Sequence, residues 1–259
     1  MMKYLLFGAA ALLPAWSAVS AQDSDDLRVR VGLGAQVRPE FIGSKGTEVA
    51  PMWRLNFAHG TDTFKFSAPD YNFGIPIISS GGFSFGPALG IASGRKNSDL
   101  DVPVGKVKTT IEAGAFASYQ LSDSLYLRAE ALKGIGGHSG IIGTIGADKI
   151  WRDGDRYVFS IGPRVLFADS RYQRAFFGVT PLAALASGLP EYRPSGGIHG
   201  VAAASSISFQ FNPRWGMFGY GRYERLVGDA AKSPIVRELG SRNQLSAGLG
   251  VSYTFTIKR

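Results

Sequence analysis

The residues that could carry out acid–base chemistry are few in this chain. It contains no cysteine, which excludes thiol catalysis and thiolate metal sites. It has only three histidines, His59, His138 and His199. Only His138 has a serine next to it, Ser139, but neighbours along a chain point apart, and the sequence places no acidic partner beside this pair. A hydrolase is therefore the least favoured function for this chain, and no metal site or cofactor is expected.

Charged residues recur at every second position of several apolar segments. Arg28 and Arg30, for example, alternate with Leu27, Val29 and Val31. Successive side chains of a β-strand point to opposite faces, so the charges share one face and the apolar residues share the other. The charged face predicted in this way carries Arg28, Arg30, Arg54, Arg128, Arg156, Arg164 and Arg222 with Glu112, Glu130, Asp148 and Glu224.

The last segment of the chain shows which surroundings such strands require. In residues 244–255, Leu, Ala, Val, Tyr and Phe alternate without a break with Ser, Gly and Thr. This pattern fits a strand whose apolar side meets lipid and whose small polar side lines a barrel. Similar patterns predict twelve strands, at residues 27–38, 49–59, 63–68, 71–78, 83–94, 108–121, 124–133, 140–151, 156–167, 198–211, 215–226 and 244–255. The pieces at 63–68 and 71–78 are the shortest.

The connections between these strands alternate between short and long. Residues 122–123 and 212–214 are short polar turns, whereas residues 95–107 and 227–243 are long. We treat the longest, 168–197, as one loop with some local structure. The sequence therefore predicts an all-β fold, a transmembrane antiparallel β-barrel of twelve strands with short periplasmic turns and longer extracellular loops. Aromatic residues at the periplasmic strand ends predict one interfacial girdle: Phe57, Phe64, Phe83, Tyr119, Trp151, Tyr157, Phe211, Trp215 and Phe255.

The beginning of the chain predicts export. Lys3, an apolar run over residues 4–13 and a small-residue site at 19–21 are typical of a secretory signal peptide at residues 1–21. Residues 22–259 then form a single barrel domain in the outer membrane of a Gram-negative bacterium. The formal net charge of +8 favours anionic partners, and in this compartment these are outer-membrane lipid and lipopolysaccharide rather than nucleic acid.

The connecting segments resemble the MipA/OmpV family of outer-membrane proteins over almost all of residues 22–259. The resemblance rests on residues 38–44, 85–87, 94–95, 134–140, 177–179, 187–192 and, most specifically, 226–236. Lys232 stands where the family usually has an acidic residue, and the tail 256–259 extends beyond the usual terminal Phe. The loop residues that carry the resemblance are Pro39, Glu40, Gly43, Ser44, Gly228, Asp229, Ala230, Ser233 and Pro234. They could form a recognition surface or close the mouth of the barrel, with Asp229 or Ser233 capping a short turn.

The family resemblance implies a non-enzymatic scaffold that binds a lytic transglycosylase and, with it, a penicillin-binding protein. The alternative is a narrow pore, whose basic lumen would favour anions. Against the pore, the lumen charges could pair across the interior as a fixed network. The pore and the fixed network depend on the same inward-facing residues, and they differ in whether those charges are paired.

Overall fold

The computed structural model describes residues 26–258. The predicted signal peptide and Arg259 lie outside these residues. The fold is a single curled antiparallel sheet of twelve strands, as the alternation predicts. Its strands are β1 (Leu27–Pro39), β2 (Thr47–His59), β3 (Phe73–Gly74), β4 (Ile78–Ser80), β5 (Phe83–Ala92), β6 (Thr110–Ser122), β7 (Leu125–Gly136), β8 (Ile141–Asp153), β9 (Tyr157–Ala168), β10 (Gly197–Gln210), β11 (Trp215–Leu226) and β12 (Asn243–Ile257).

The first and last strands pair with each other. β1 and β12 are antiparallel from Leu27 opposite Ile257 to Val37 opposite Ala247. β12 therefore includes the first two residues of the tail, Thr256 and Ile257. On both strands the apolar residues face outward: the exposed fraction is 71% for Leu33 and 58% for Leu249. Inward positions hold small or polar residues, as expected for a wall between lipid and a filled interior.

The two shortest predicted strands differ from the prediction. Residues 63–68 form no strand, and the segment 71–78 contributes only β3 and the first residue of β4, Ile78. A further short strand, β4, brings the number to twelve. Between β3 and β4, Ile75 and Ile77 donate backbone hydrogen bonds to Pro87 and Phe85, so residues 73–80 follow β5 with an interruption.

Residues 60–72, which we call the inward segment, lead from the periplasmic end into the barrel. β2 descends to His59 at the periplasmic end, and residues 73–80 also descend because they are antiparallel to the ascending β5. The chain must therefore return upward between them. Phe64, Phe66 and Tyr71 are buried on this return path. The placement of Phe64 in the outer girdle was thus wrong, whereas the other eight girdle aromatics are all at least 40% exposed.

The sheet has one interruption around its circumference. The order of pairing begins at β2 and ends at β3. Among the described residues no backbone hydrogen bond joins these two edges, although the rings of Trp53 and Phe73 lie 5.3 Å apart. The single proline of β2, Pro51, is tolerated on such an edge because it has no N–H to contribute to a ladder.

The extracellular loops carry the helices. The loop between β9 and β10 contains α1 (Ser170–Phe177) and α2 (Pro181–Ser187), in agreement with one loop holding local structure. The last loop contains α3 (Gly228–Lys232) and a π-helix (Ile235–Leu239), and a 3-10 turn (Asn97–Asp99) follows β5. Over residues 26–258, no helix is long and apolar enough to cross a membrane.

Candidate functional site

An ion network fills the middle of the barrel. Arg164 of β9, which is 1% exposed, donates from Nε and Nη2 to the two carboxylate oxygens of Asp70 at 3.0 and 3.1 Å. Its Nη2 also lies 2.9 Å from the Asp148 carboxylate of β8. The hydroxyl of Tyr71 donates to the other Asp148 oxygen at 2.8 Å. One arginine is thus fixed between two carboxylates, and two of its partners come from the inward segment.

Two neighbouring pairs extend this network. Arg128 and Glu130 of β7 are 3.1 Å apart, and Asn72 donates to Glu130 at 2.7 Å while accepting from Arg128 at 3.0 Å. On β11, Arg222 donates to Glu224 at 2.7 Å and lies 4.0 Å from Asp70. Since every bond to Asp70 and Asn72 crosses the lumen, the inward segment is attached to the walls on several sides.

The periplasmic end of the lumen is richer in arginine. Arg28 pairs with Asp155 at 3.3 Å, and its side chain also donates to the carbonyl of Asp62. Arg30 is buried, donates to Thr254 at 3.0 Å and lies 4.0 Å above the Phe64 ring. Arg54 donates to Asn56 at 2.7 Å.

One residue of the predicted lumen set lies elsewhere. Arg156 belongs to the turn after β8, is about half exposed, and pairs with Asp153 at 3.8 Å. Its assignment to the charged interior face was therefore wrong. The turn places it at the periplasmic surface, because the strand β9 begins one residue later, at Tyr157.

The two family-motif loops meet at the extracellular mouth. The N–H of Gly43 donates to Gln244 Oε1 at 3.0 Å, and its carbonyl accepts from Ser241 at 2.9 Å. Gly43 has φ +95°, a conformation that other residues rarely adopt, and a side chain there would meet Val236 and Phe177. Ser44 is buried beside Glu40, at 3.2 Å, and Pro39 ends β1. The first loop is therefore packed against the last.

The last loop is fixed by its own motif residues. Ser233 is fully buried and donates to the carbonyl of Phe177 at 2.7 Å, and the fully buried Ala230 packs against α1. Gly228 opens α3 with φ +57°, and Pro234 directly precedes the π-helix.

Asp229 bonds across the mouth to another loop. Its carboxylate accepts from the backbone and hydroxyl of Ser195 at 3.0 and 2.7 Å. The Ser195 hydrogen bonds, together with the nearby Lys232, hold the pKa of the Asp229 carboxyl below its usual range. Neither Asp229 nor Ser233 caps the start of α3, whose N-cap is Val227.

A histidine–carboxylate pair lies beneath the packed loops that cover the mouth of the barrel, which we call the cap. His138 Nε2 is 2.8 Å from Glu112 Oε1, and both residues are buried. The expectation that no acidic partner lies beside His138 was therefore wrong. The backbone N–H of His138 donates to Thr110, and its ring contacts Tyr172 and Phe176, so its surroundings include no bonded serine hydroxyl among the described residues. Burial, with smaller contributions from Glu112 and Glu224, raises the pKa of Tyr172.

The cap is completed by apolar packing. Val107, Tyr172, Phe176, Phe177, Leu226 and Val236 form one buried cluster of loop and strand-end residues. Arg95 of the loop after β5 donates to the carbonyl of Phe176 at 2.6 Å and lies over the Phe41 ring. Burial lowers the pKa of Arg95 to about 10, so it remains charged at neutral pH. The mouth is thus closed by side chains above an interior filled by the inward segment.

Within residues 26–258, no group of three or more His, Asp or Glu side chains is arranged to hold a metal ion. The sequence did not reveal the role of Asp70, Tyr71 and Asn72, since the strand predicted at 71–78 implied a wall position for Tyr71 and Asn72, and Asp70 fell in the connection before it. The signal that could have identified them is the polar group Asp-Tyr-Asn directly after Pro69, which suits a turn inside a polar lumen.

Residues 31–255 match the protein family described as MltA-interacting protein MipA. No protein with a curated description matches the chain. Similar solved structures include the KdgM porin, which is 10% identical, covers 89% of this chain and 99% of that chain, and has a TM-score of 0.36. An outer membrane channel from Pseudomonas putida F1 is 8% identical over 94% and 100% of the two chains, with a TM-score of 0.43. These likenesses are too distant to carry an argument about this chain.

Proposed function

This chain belongs to the MltA-interacting protein MipA family, and from that premise we propose that it is a non-enzymatic scaffold in the outer membrane. At the periplasmic face it holds murein-remodelling enzymes, a lytic transglycosylase together with a penicillin-binding protein. The barrel itself is the outer-membrane anchor of this assembly.

The observation that carries the proposal is the filled interior. Arg164 is enclosed by Asp70, Asp148 and the Tyr71 ring, 4.4 Å away, at mid-height of the barrel. Above this layer the apolar cap closes the mouth, with Phe177 and Ala230 fully buried. A lumen occupied at two levels favours an anchoring role over passage of solutes.

The inward segment also bears on the docking surface. It leaves the periplasmic end at Gly60, whose N–H donates to the Asp26 carbonyl at 2.8 Å. Arg152 donates to the carbonyl of Phe64 at 3.3 Å and lies 3.5 Å from Asp155, which joins the 153–156 turn to the segment. The periplasmic face therefore presents turns that are fastened to the interior, and such pre-organised turns support docking at low entropic cost.

Affinity purification from solubilised envelopes tests the scaffold. The tagged protein should recover a lytic transglycosylase or a penicillin-binding protein well above the background of an unrelated tagged barrel. Arg156→Glu reverses a charge in a periplasmic turn, where the partner is proposed to dock. Its matched control is Lys106→Glu, which reverses a charge in an extracellular loop. Recovery of no murein enzyme above background would contradict the scaffold role.

Planar-bilayer recording tests the alternative, a narrow pore that prefers anions. The scaffold predicts no steady conductance from the purified, folded protein. Folding of the same sample is checked by its heat-modifiable migration on gels. Steady anion-selective conductance from folded protein would favour the pore.

A further inference from the structure

Two arginines of the lumen have no carboxylate partner. Arg28, Arg128, Arg164 and Arg222 each form an ion pair with an Asp or Glu. Among the described residues, Arg30 and Arg54 have no Asp or Glu carboxylate oxygen within 4.0 Å. Among the described residues, the Arg30 side chain donates only from Nε to Thr254, and the Arg54 side chain donates only from Nε to Asn56. The terminal nitrogens of both guanidinium groups therefore have no hydrogen-bonded acceptor there.

These two arginines lie side by side on one face. In the register of β1 and β2, Arg30 is opposite Asn56 and Gly32 is opposite Arg54. Residues directly opposite each other in an antiparallel pair point to the same side, so Arg30 and Arg54 are diagonal neighbours on the interior face. The Cβ atoms of such diagonal pairs are about 7–8 Å apart, which is within reach of two long side chains.

The carboxylate of Asp155, a neighbour of Arg30, is already occupied. Asp155 lies on the Arg30 side of the lumen, but it pairs with Arg28 at 3.3 Å and with Arg152 at 3.5 Å, and it accepts from the Phe64 N–H at 3.0 Å. Arg28 and Arg152 thus share this carboxylate, and among the described residues it forms no ion pair with Arg30 or Arg54. Buried cations that lack a counter-charge are strongly unfavourable, so the site has a demand for negative charge.

Two aromatic rings flank the pair, and one of the two arginines is partly exposed. Arg54 lies over the Phe218 ring, 5.7 Å from its centre, and Arg30 lies over Phe64. Phe218 fits there because Gly32 and Gly250 have no side chains, since a Cβ on either would come within 2.7 Å of its ring. Arg54 keeps partial exposure although it faces the interior, so it borders space inside the barrel.

We propose that Arg30 and Arg54 form an internal binding site for an oxyanion, a phosphate or carboxylate group, between β1, β2 and β11. The guanidinium fork matches the geometry of such groups and binds them through two parallel hydrogen bonds. The bound anion neutralises the two arginines and lies against the apolar ring of Phe218. This site is separate from the Arg164 network, whose arginine is already satisfied by Asp70 and Asp148.

Thermal unfolding of the refolded barrel in detergent tests the site, with inorganic phosphate as the probe. At equal ionic strength, phosphate should raise the unfolding midpoint of the wild type more than chloride does. Arg30→Gln and Arg54→Gln should abolish this difference. In phosphate-free buffer, Arg54→Gln should unfold at or above the wild-type midpoint, because it removes an unpaired charge.

The matched control is Arg38→Gln, which removes a lumen-side arginine whose Nε already bonds Glu48 at 3.0 Å. This variant should keep the full phosphate response. If Arg54→Gln does not fold, Arg54→Lys keeps the charge without the fork and should respond more weakly than wild type. Phosphorus NMR should show saturable broadening with wild type and with Arg38→Gln, and none with Arg30→Gln. Equal stabilisation by phosphate and chloride, or an unchanged phosphate response in both Gln variants, would overturn the proposal.

Discussion

At the scale of single residues, Arg164 has the most demanding surroundings, since it and its two carboxylate partners are buried together. Replacing Arg164 by Met should lower the free energy of unfolding by about 3–5 kcal/mol, because two carboxylates would remain without their cation. Urea unfolding followed by tryptophan fluorescence measures the loss. Adding Asp70→Asn should recover part of it, so the double variant is less unstable than the sum of the single ones; strict additivity would argue against the network.

Ser233 gives a second test at this scale. Its buried hydroxyl is bonded to the Phe177 carbonyl, so Ser233→Ala leaves an unsatisfied acceptor and should cost about 1–3 kcal/mol. The matched control is Ser241→Ala, because the hydrogen bond from Ser241 to the Asn243 carbonyl, 3.0 Å long, is exposed to solvent; this variant should change stability by less than about 0.5 kcal/mol. If both variants unfold at the same urea concentration, Ser233 does not hold the cap.

Asp229 makes a prediction about pH. Its pKa in the folded protein is lowered by the Ser195 hydrogen bonds, so the carboxylate stabilises the fold above its unfolded pKa of about 4. That contribution is lost as pH falls below about 4 and through the folded value. Asp229→Asn should therefore be less stable than wild type at pH 7, and the difference in urea midpoint should shrink at pH 3. A difference that is constant with pH would remove the carboxylate from the explanation.

At the scale of elements, the inward segment distinguishes this barrel from a simple ring of strands. Because the chain lacks cysteine, single cysteines report position directly. Cysteine at Phe66 should resist a lipid-soluble maleimide in the folded protein, whereas cysteine at Phe57 or Phe83, both outward, should react. Labelling at positions 64 and 66 as strong as at 57 would place residues 63–68 back in the wall.

Alternation predicted the long strands well and failed at residues 63–68 for a definite reason. Along β12 the two faces meet lipid and lumen, so apolar and small polar residues alternate. Phe64, Phe66 and Ala68 alternate too, but Phe66 and Ala68 pack on Tyr126 and Ile150 inside the barrel. A period of two shows that two faces differ, and it cannot tell lipid from a buried apolar cluster.

The sequence predicted which strand residues face the interior, but it did not predict which residues they bond. The parity of each strand identified Arg164, Asp148 and Glu112 as inward residues, and the structure places all three there. The partners Asp70 and His138 come from segments without regular strand structure, so no periodicity reaches them. Glu112 could have been linked to His138 only through the register that sets Glu112 opposite Gly134, beside which His138 folds back.

At the scale of the whole molecule, the barrel is closed above and filled within, so its stability depends on contacts that the wall alone does not make. Replacing residues 61–71 by a short Gly-Ser linker should give a barrel that still pairs β1 with β12 but unfolds at lower urea concentration. It should remain silent in planar bilayers, because the cap of α1, α3 and the π-helix still covers the mouth. Conductance from this variant would show that the inward segment alone blocks passage.

The interruption between β2 and β3 has a consequence for how the wall responds to force and heat. A ring bonded all the way round must break a whole ladder before it opens, whereas a split ring already has its point of opening. Here the continuous chain from His59 to Phe73 connects β2 to β3, so the two sheet edges remain linked when they separate. Amide hydrogens along the unpaired edge of β2 should therefore exchange with solvent earliest among the long strands. The barrel should open first between β2 and β3, while β1 and β12 remain paired.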